Sequence, residues 1–227
     1  MNPNIEYQSG KFLPIADRWE VDWLYMEPKN PLAVLVLSHG AGAGMQHQNM
    51  ESIAQSMYHA GLAVFRFNFT YMQKGGGRES QKVSVATIQA AIQLVHKKYP
   101  GLPILVGGHS YGGRMTSHAA REAFVEPVKG LIYFAFPLHA PGRAGKERAD
   151  HLTEVNYPQL FLSGSRDTFS TGTLLEEVAE DLGERATLHR LFTANHSYKI
   201  LKKTRTSEET VFDEMGRVVQ EWLKKVL

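Results

Sequence analysis

Short apolar runs alternate along the chain with longer stretches in which apolar residues recur every three or four positions. The short runs have the length and composition of strands and lie at residues 19–25, 32–37, 63–69, 103–106, 131–136, 159–162 and 187–192. Runs that are apolar throughout are typical of central strands buried on both faces. Strands that alternate with helices predict an α/β architecture, in which helices cover both faces of a mostly parallel sheet.

The helical spacing is clearest in residues 50–58, 85–95 and 211–226, where the apolar positions fall on one face. Thr206 and Glu209 have the spacing of a capping box. This pair predicts that the last helix begins near Thr206.

Composition and charge narrow the class of protein. The 227 residues suffice for a substantial core, and no linker or internal repeat divides them, so we expect a single domain over residues 1–227. The 25 basic and 23 acidic residues leave a net charge of +2, which argues against nucleic acid and anionic membranes as partners.

The chain has no cysteine, which excludes disulfides, thiolate zinc ligands and a thiol nucleophile. Residues 1–7 lack a signal-peptide pattern and no apolar stretch has membrane-spanning length, so we expect a cytoplasmic protein.

Ser110 stands at the centre of a G-x-S-x-G frame, between a strand-like segment and a helix-like one. This is the setting of a nucleophile elbow, in which a sharp, strained turn exposes the serine hydroxyl. The same pattern also fits a glycine-rich turn whose serine caps the following helix. A nucleophilic serine needs a base, an acid that orients the base, and donors for the oxyanion, all at the same edge of the sheet.

Asp167 and His196 are the candidate acid and base. Each directly follows a predicted strand, and the carboxyl ends of parallel strands meet at the edge that carries Ser110. Asp167 could equally be a turn or helix-cap residue, and His196 is one of ten histidines. Asp150 is a competing acid, although no apolar strand runs directly into it. The order Ser110, Asp167, His196 is the chain order of an α/β-hydrolase triad, and it favours these three residues.

A loop of small residues, Ser38 to Gly44, follows an early strand. Small residues let backbone N–H groups approach a carbonyl oxygen, and we expect the N–H groups of Ala41 and Tyr111 to form an oxyanion hole. A phosphate-cradling loop is the alternative, but neither the G-x-G-x-x-G frame nor a Walker lysine is present. The histidines lack metal-ligand spacing such as H-E-x-x-H, and we expect no metal and no cofactor.

The chain resembles an α/β-hydrolase family of bacterial dienelactone-hydrolase-like proteins, which also includes an animal testis-expressed protein and a domain of a subunit of the NSL chromatin complex. The stretches that carry this resemblance are residues 39–45, 66–72, 107–114, 136–142, 148–152, 164–167 and 195–198. The resemblance implies the α/β-hydrolase fold and the triad positions, and it implies no particular substrate. The family usually has lysine before the nucleophile and methionine after it, where this chain has His109 and Tyr111.

Asn68, Tyr71 and His139 lie in these stretches, just after predicted strands. We expect them to bind the substrate together with Gly40 and His109, because loops converge at that edge of the sheet. The ordinary interpretations are a turn residue for Asn68, a packing residue for Tyr71 and a hydrogen-bonded loop residue for His139.

The connection 138–158 is short and polar where larger hydrolases can hold a lid domain. It predicts an open site for a small or polar acyl substrate rather than a long lipid. Its basic residues Arg143, Lys146 and Arg148 either attract an anionic substrate or form a solvated surface.

The predicted activity is hydrolysis of a small carboxylic ester or similar acyl substrate through an acyl-enzyme, by a monomer or small homo-oligomer. A non-catalytic scaffold protein of the same fold is one alternative. Acyl transfer to an acceptor other than water, or perhydrolysis by the same triad, is another.

Overall fold

A computed structural model describes residues 5–16, 18–122, 124, 126–140 and 142–227. Residues 1–4, part of the segment expected to lack a signal peptide, and Pro141 of the stretch 136–142 lie outside the described residues. Within the described part of the chain, no helix combines the length and the apolar character needed to cross a membrane.

A central sheet runs through the described part of the chain. Its strands are Gln8–Phe12 (β1), Val21–Met26 (β2), Ala33–Ser38 (β3), Leu62–Phe67 (β4), Ile104–His109 (β5), Val128–Phe134 (β6), Gln159–Gly164 (β7) and Ala186–Leu191 (β8). Their order in the sheet is β1-β2-β4-β3-β5-β6-β7-β8. The pairings β1–β2 and β2–β4 are antiparallel, and those from β4 to β8 are parallel. The carboxyl ends of β3 and β5 to β8 therefore share one edge.

Helices cover both faces of the sheet. They are Gln48–His59 (α1), Thr70–Gln73 (α2), Gln81–Lys98 (α3), Tyr111–Arg121 (α4), Leu174–Leu182 (α5) and Val211–Val226 (α6), with 3₁₀ turns at Glu147–Glu154 and Gly183–Arg185. Residues of α3, α4 and α5 form one hydrophobic core and those of α1 and α6 form the other. In β3, Val34 and Val36 belong to the first core, whereas Leu35 and Leu37 belong to the second. The predicted α/β-hydrolase fold is confirmed, and no lid domain is present among the residues described between β6 and β7.

The edge strand β1 was absent from the prediction because its residues, Gln8–Phe12, are mostly polar. It is stabilised by packing on its apolar neighbours. The Phe12 ring lies 6.1 Å from the Phe67 ring, and a Cβ on Gly10 would lie 2.7 Å from the Trp23 indole. Only glycine allows the strand to pass that indole closely.

The predicted capping box at Thr206 is wrong. Helix α6 begins after Thr210, whose hydroxyl accepts a hydrogen bond from the Asp213 N–H at 3.2 Å. The Arg205 guanidinium donates to the Glu209 carbonyl oxygen at 3.0 Å and pairs with Glu214 at 2.6 Å. These contacts hold Arg205 and the Glu209 carbonyl in place outside the helix, which therefore begins only after Thr210.

Two histidine rings stack between α4 and the 3₁₀ turn Glu147–Glu154. The ring centroids of His118 and His151 are 3.8 Å apart, and Nε2 of His151 lies 2.7 Å from the Ser117 hydroxyl. Nε2 of His118 is buried without a hydrogen-bond partner among the described residues. Burial lowers the pKa of both histidines from 6.5 to about 4; His151 adds to the shift of His118, and nearby arginines add to both.

Acid is therefore expected to destabilise the protein. Between the folded pKa near 4 and the unfolded value of 6.5, the unfolded chain binds more protons, so the free energy of unfolding falls as the pH drops through that window. Each histidine contributes at most about 2.5 kcal/mol of this loss at pH 4.5, and less where solvent screens it. Urea unfolding of a His118→Phe variant at pH 7 and pH 4.5 checks it, because this variant should lose less stability on acidification than the natural chain. The same substitution at the exposed His59 is the control, and an equal pH dependence in both variants would contradict the prediction.

Candidate active site

Ser110 occupies the turn between β5 and α4 with φ of +52° and ψ of −114°, a conformation that residues with a Cβ rarely adopt. Its N–H donates to the Phe134 carbonyl oxygen at 2.8 Å, and its own carbonyl accepts from the Arg114 N–H at 3.1 Å. Its side chain makes no hydrogen bond to the backbone of α4, so a helix-capping serine does not describe it. The geometry is that of an elbow that exposes the hydroxyl.

The glycines of the frame are required by close packing. A Cβ on Gly108 would overlap the Ser38 hydroxyl and the Gly112 backbone, and one on Gly112 would lie 2.6 Å from the carbonyl oxygens of Ser38 and His39. Strand β3 and helix α4 thus approach β5 more closely than any larger residue permits.

The three predicted triad residues form one hydrogen-bonded series. Nε2 of His196 lies 2.8 Å from Oγ of Ser110, and Nδ1 of His196 lies 2.8 Å and 3.0 Å from the two carboxylate oxygens of Asp167. The Asp167 side chain has no exposed surface, whereas the His196 side chain is 17% exposed. The buried acid therefore lies on the far side of a ring whose other nitrogen reaches the serine.

Neighbouring groups hold the Asp167 carboxylate and the His196 ring in position. The Phe169 N–H donates to the Asp167 carboxylate at 2.8 Å, and the Phe169 ring packs 4.2 Å from the His196 ring. The competing acid, Asp150, is exposed on the 3₁₀ turn and makes no hydrogen bond to His196 in the described structure.

His109 lies beside the triad. Its Nε2 is 3.0 Å from the His196 carbonyl oxygen and 3.3 Å from the Asn49 amide nitrogen. Burial, with a smaller contribution from His196, lowers the pKa of His109 to about 4. At neutral pH the ring is uncharged, and its Nε2–H can donate to the His196 carbonyl oxygen, which holds the loop that carries His196.

The loop after β3 presents a free N–H group. His39, which burial keeps uncharged with a pKa of about 4, has its Nδ1 at 2.7 Å from the Gly40 carbonyl oxygen and accepts from the Phe69 N–H at 3.0 Å. The Gly40 carbonyl thus points at His39, so the N–H of Ala41, across the same trans peptide, points the opposite way. Neither this N–H nor that of Tyr111, the first residue of α4, donates to another described residue.

A cavity of about 440 Å³ opens on the Ser110 hydroxyl. Predicted site residues that line it are Gly40, Ala41, His109, Ser110, Tyr111 and His196. Asp167 lies behind His196, outside the lining. Among the described residues, no group of three or more histidine, aspartate or glutamate side chains is arranged to hold a metal ion.

Asn68, Tyr71 and His139, expected to bind the substrate, do not line this cavity. The Asn68 amide oxygen accepts from the Met45 N–H at 3.0 Å, and the Tyr71 hydroxyl donates to the Ala41 carbonyl oxygen at 3.1 Å. Both side chains are therefore turned to the back of the loop after β3, where they fix its backbone.

His139 is buried, and its ring braces the loop that follows Asp167. Its Nε2 lies 3.1 Å from the Thr171 hydroxyl and accepts from the Thr171 N–H at 3.3 Å, while its own backbone N–H donates to the Phe169 carbonyl. A side chain engaged in this way is turned away from the cavity.

Three cavity residues are arginines, Arg78, Arg114 and Arg148, of which the sequence interpretation singled out only Arg148. Arg114 carried a usable signal, because it stands four positions after Ser110 on a helix and therefore shares its face. Arg78 belongs to the loop before α3, and no pattern in the sequence marks it as a cavity residue.

Lys146, from the predicted basic cluster, pairs with Glu177 at 3.3 Å and Asp181 at 3.1 Å.

The chain is similar to known hydrolases. A family model described as "Alpha/beta hydrolase domain" matches residues 31–224. Monoglyceride lipase of Rattus norvegicus is 30% identical over 125 residues, which are 52% of this chain and 40% of that protein, so the match spans less than half of the relative's length. Dienelactone hydrolase from Anabaena variabilis has a TM-score of 0.74 at 16% identity, covering 98% of this chain and 99% of the other. An α/β serine hydrolase without lid from Xanthomonas campestris has a TM-score of 0.71 at 19% identity, covering 100% and 98%. At these identities the two structures show a shared fold.

Proposed function

Because the chain belongs to the alpha/beta hydrolase domain family, we propose that it is a serine hydrolase that cleaves small carboxylic esters through an acyl-enzyme on Ser110. The observation that carries the proposal is the hydrogen-bonded series from Ser110 through His196 to Asp167 at the wall of an open cavity. A series of nucleophile, base and orienting acid is the arrangement that activates a serine hydroxyl.

In the first half-reaction, Nε2 of His196 accepts the Ser110 proton while Oγ attacks the ester carbonyl carbon. Asp167 holds the ring through Nδ1 and stabilises the imidazolium that forms. The carbonyl oxygen becomes an oxyanion, which the N–H groups of Ala41 and Tyr111 stabilise. As the tetrahedral intermediate collapses, the C–O bond to the alcohol breaks and His196 returns the proton to the leaving oxygen.

In the second half-reaction, a water molecule takes the place of the alcohol. His196 accepts its proton as the water oxygen attacks the acyl carbon, and Ser110 Oγ leaves with that proton. The open cavity of about 440 Å³ admits such a water molecule and suits a small acyl group.

Labelling with a fluorophosphonate probe tests the proposal. We expect one covalent label per chain, mapped by peptide mass spectrometry to Ser110 and lost in a Ser110→Ala variant. Ser197, an exposed serine on the same cavity wall, offers a matched control, and Ser197→Ala should retain the label.

A folded protein that stays unlabelled would contradict the proposal and favour the scaffold alternative. If labelling succeeds, product analysis with an added alcohol distinguishes hydrolysis from acyl transfer. The narrower kinship with the testis-expressed protein and the NSL subunit stays a prediction.

A further inference from the structure

The cavity at Ser110 is lined by cationic side chains without acidic ones. Arg78, Arg114 and Arg148 contribute to its wall, and no aspartate or glutamate is found among its described lining residues. The buried carboxylate of Asp167 is turned toward His196. Any ligand in this cavity therefore meets a positive surface beside the nucleophile.

The three arginines form no ion pair within the described structure. Arg148 donates to the His139 carbonyl oxygen at 3.1 Å, and the Arg78 guanidinium lies 5.7 Å from the centre of the Tyr111 ring. The Nε of Arg114 is buried and has no hydrogen-bond partner among the described residues. A buried guanidinium N–H without an acceptor costs free energy that a bound acceptor would recover.

The arginines are close enough to repel one another. Burial lowers the pKa of Arg114, and the charges of Arg148 and Arg78 lower it further. Lys146 provides a contrast on the same connection as Arg148, because two carboxylates neutralise it at the surface. The cavity arginines have no such carboxylate partners. An anion bound in the cavity would neutralise them.

We propose that these arginines bind an anionic group of the substrate, so that the ester cleaved at Ser110 also carries a carboxylate or a phosphate. The guanidinium fork suits either anion, because both accept two parallel hydrogen bonds. This inference rests on the proposed hydrolase function and adds the substrate class to it.

The position of Arg114 limits the distance between the anion and the scissile bond. Its backbone N–H donates to the Ser110 carbonyl oxygen, so it stands one helical turn after the nucleophile, about 6 Å along the axis. Its side chain lines the same cavity of about 440 Å³ as the Ser110 hydroxyl, so an anion bound there shares that cavity with the scissile bond. Half-esters of short dicarboxylic acids are small enough to place both groups in it.

A matched pair of esters tests the proposal. The 4-nitrophenyl esters of glutarate and pentanoate share the leaving group and the chain length and differ in one terminal carboxylate. We expect kcat/KM to be higher for the glutarate half-ester, and the ratio of the two to fall about ten- to hundredfold in Arg148→Gln. Arg148→Lys should lose less, because it keeps the charge.

Arg143→Gln is the control, since Arg143 is exposed on the same connection and does not line the cavity. It should keep the natural ratio. A ratio unchanged by Arg148→Gln and Arg114→Gln would overturn the proposal. That outcome includes an equal fall in kcat/KM for both esters, because the arginines would then act at the reacting carbonyl rather than on a second anion.

A binding measurement separates this inference from the proposed function. Calorimetry with the Ser110→Ala variant measures the binding of glutarate and of inorganic phosphate without turnover, and the tighter ligand identifies the kind of anion. Loss of that binding in Ser110→Ala/Arg148→Gln supports the inference even if no ester is hydrolysed. Absence of binding by both anions overturns it, whereas failure of probe labelling overturns the hydrolase function and the ester as substrate but leaves the anion site.

Discussion

The Ser110→Ala substitution is expected to lower kcat for a short nitrophenyl ester by about six orders of magnitude, and Asp167→Asn by about four. Without the Ser110 hydroxyl no acyl-enzyme forms, and only the oxyanion donors and substrate binding remain. In the Asp167→Asn variant the amide keeps the shape of the acid, but it cannot stabilise an imidazolium or hold His196 in the tautomer that accepts the serine proton.

The measurement is initial-rate kinetics on purified variants, with circular dichroism to show that each is folded. Asp150→Asn is the matched control, because Asp150 is the competing acid and makes no hydrogen bond to His196 in the described structure. It should hydrolyse the ester at the natural rate. If Asp150→Asn were as slow as Asp167→Asn, or if Ser110→Ala kept more than about a tenth of the activity, the assignment of the triad would be wrong.

Replacing Glu51 by glutamine is expected to lower the free energy of unfolding by about 3–5 kcal/mol. The Glu51 carboxylate lies 2.7 Å from Nη1 of Arg66, and their side chains are only 6% and 1% exposed. Arg66 also donates to the Met45 carbonyl oxygen at 3.1 Å, while its Nε and Nη2 have no partner among the described residues. Replacing the Glu51 carboxylate by an amide therefore leaves a buried charge that has only neutral acceptors and no anionic partner.

The ionisation of Glu51 agrees with this role. Burial by itself would raise its pKa, but a hydrogen bond from Tyr7 and the charge of Arg66 hold the pKa below its ordinary value. The carboxylate is thus charged in the folded protein at neutral pH, and its contribution to stability is lost as the pH falls through the lowered pKa.

An exposed ion pair of equal length is the control for Glu51. Arg121 and Glu154 also approach to 2.7 Å, but their side chains are 49% and 53% exposed. Glu154→Gln should therefore cost less than about 1 kcal/mol. Urea unfolding of both variants makes the comparison. The double variant Glu51→Leu/Arg66→Met should recover most of the loss, because it removes both charges. A Glu51→Gln variant no less stable than Glu154→Gln would contradict the argument.

The order of elements was predictable because the sheet is parallel where the candidate site lies. A run apolar throughout, such as residues 32–37, signals a strand buried on both faces, and each such strand delivers its next loop to one edge. That topology brings Ser110, Asp167 and His196 together although 86 residues separate the first from the last. Their placement needed only strand ends and chain order.

Contacts between side chains from distant elements were beyond prediction. Asn68, Tyr71 and His139 follow strands, as cavity residues do, yet their side chains bond to the backs of the loops. Which way a loop side chain turns depends on carbonyl and N–H groups that other loops supply. Arg78 reaches the cavity for the same reason, because its position over the Tyr111 ring is a tertiary contact.

The positive φ at Ser110 means that the residue proposed to react is also one that lowers the stability of the fold. A residue with a Cβ costs about 1–3 kcal/mol in that conformation, and glycine would relieve the cost while removing the hydroxyl. A Ser110→Gly variant is therefore expected to be more stable than the natural chain. Folding alone gives no reason for a serine there, and the proposed role as nucleophile supplies one.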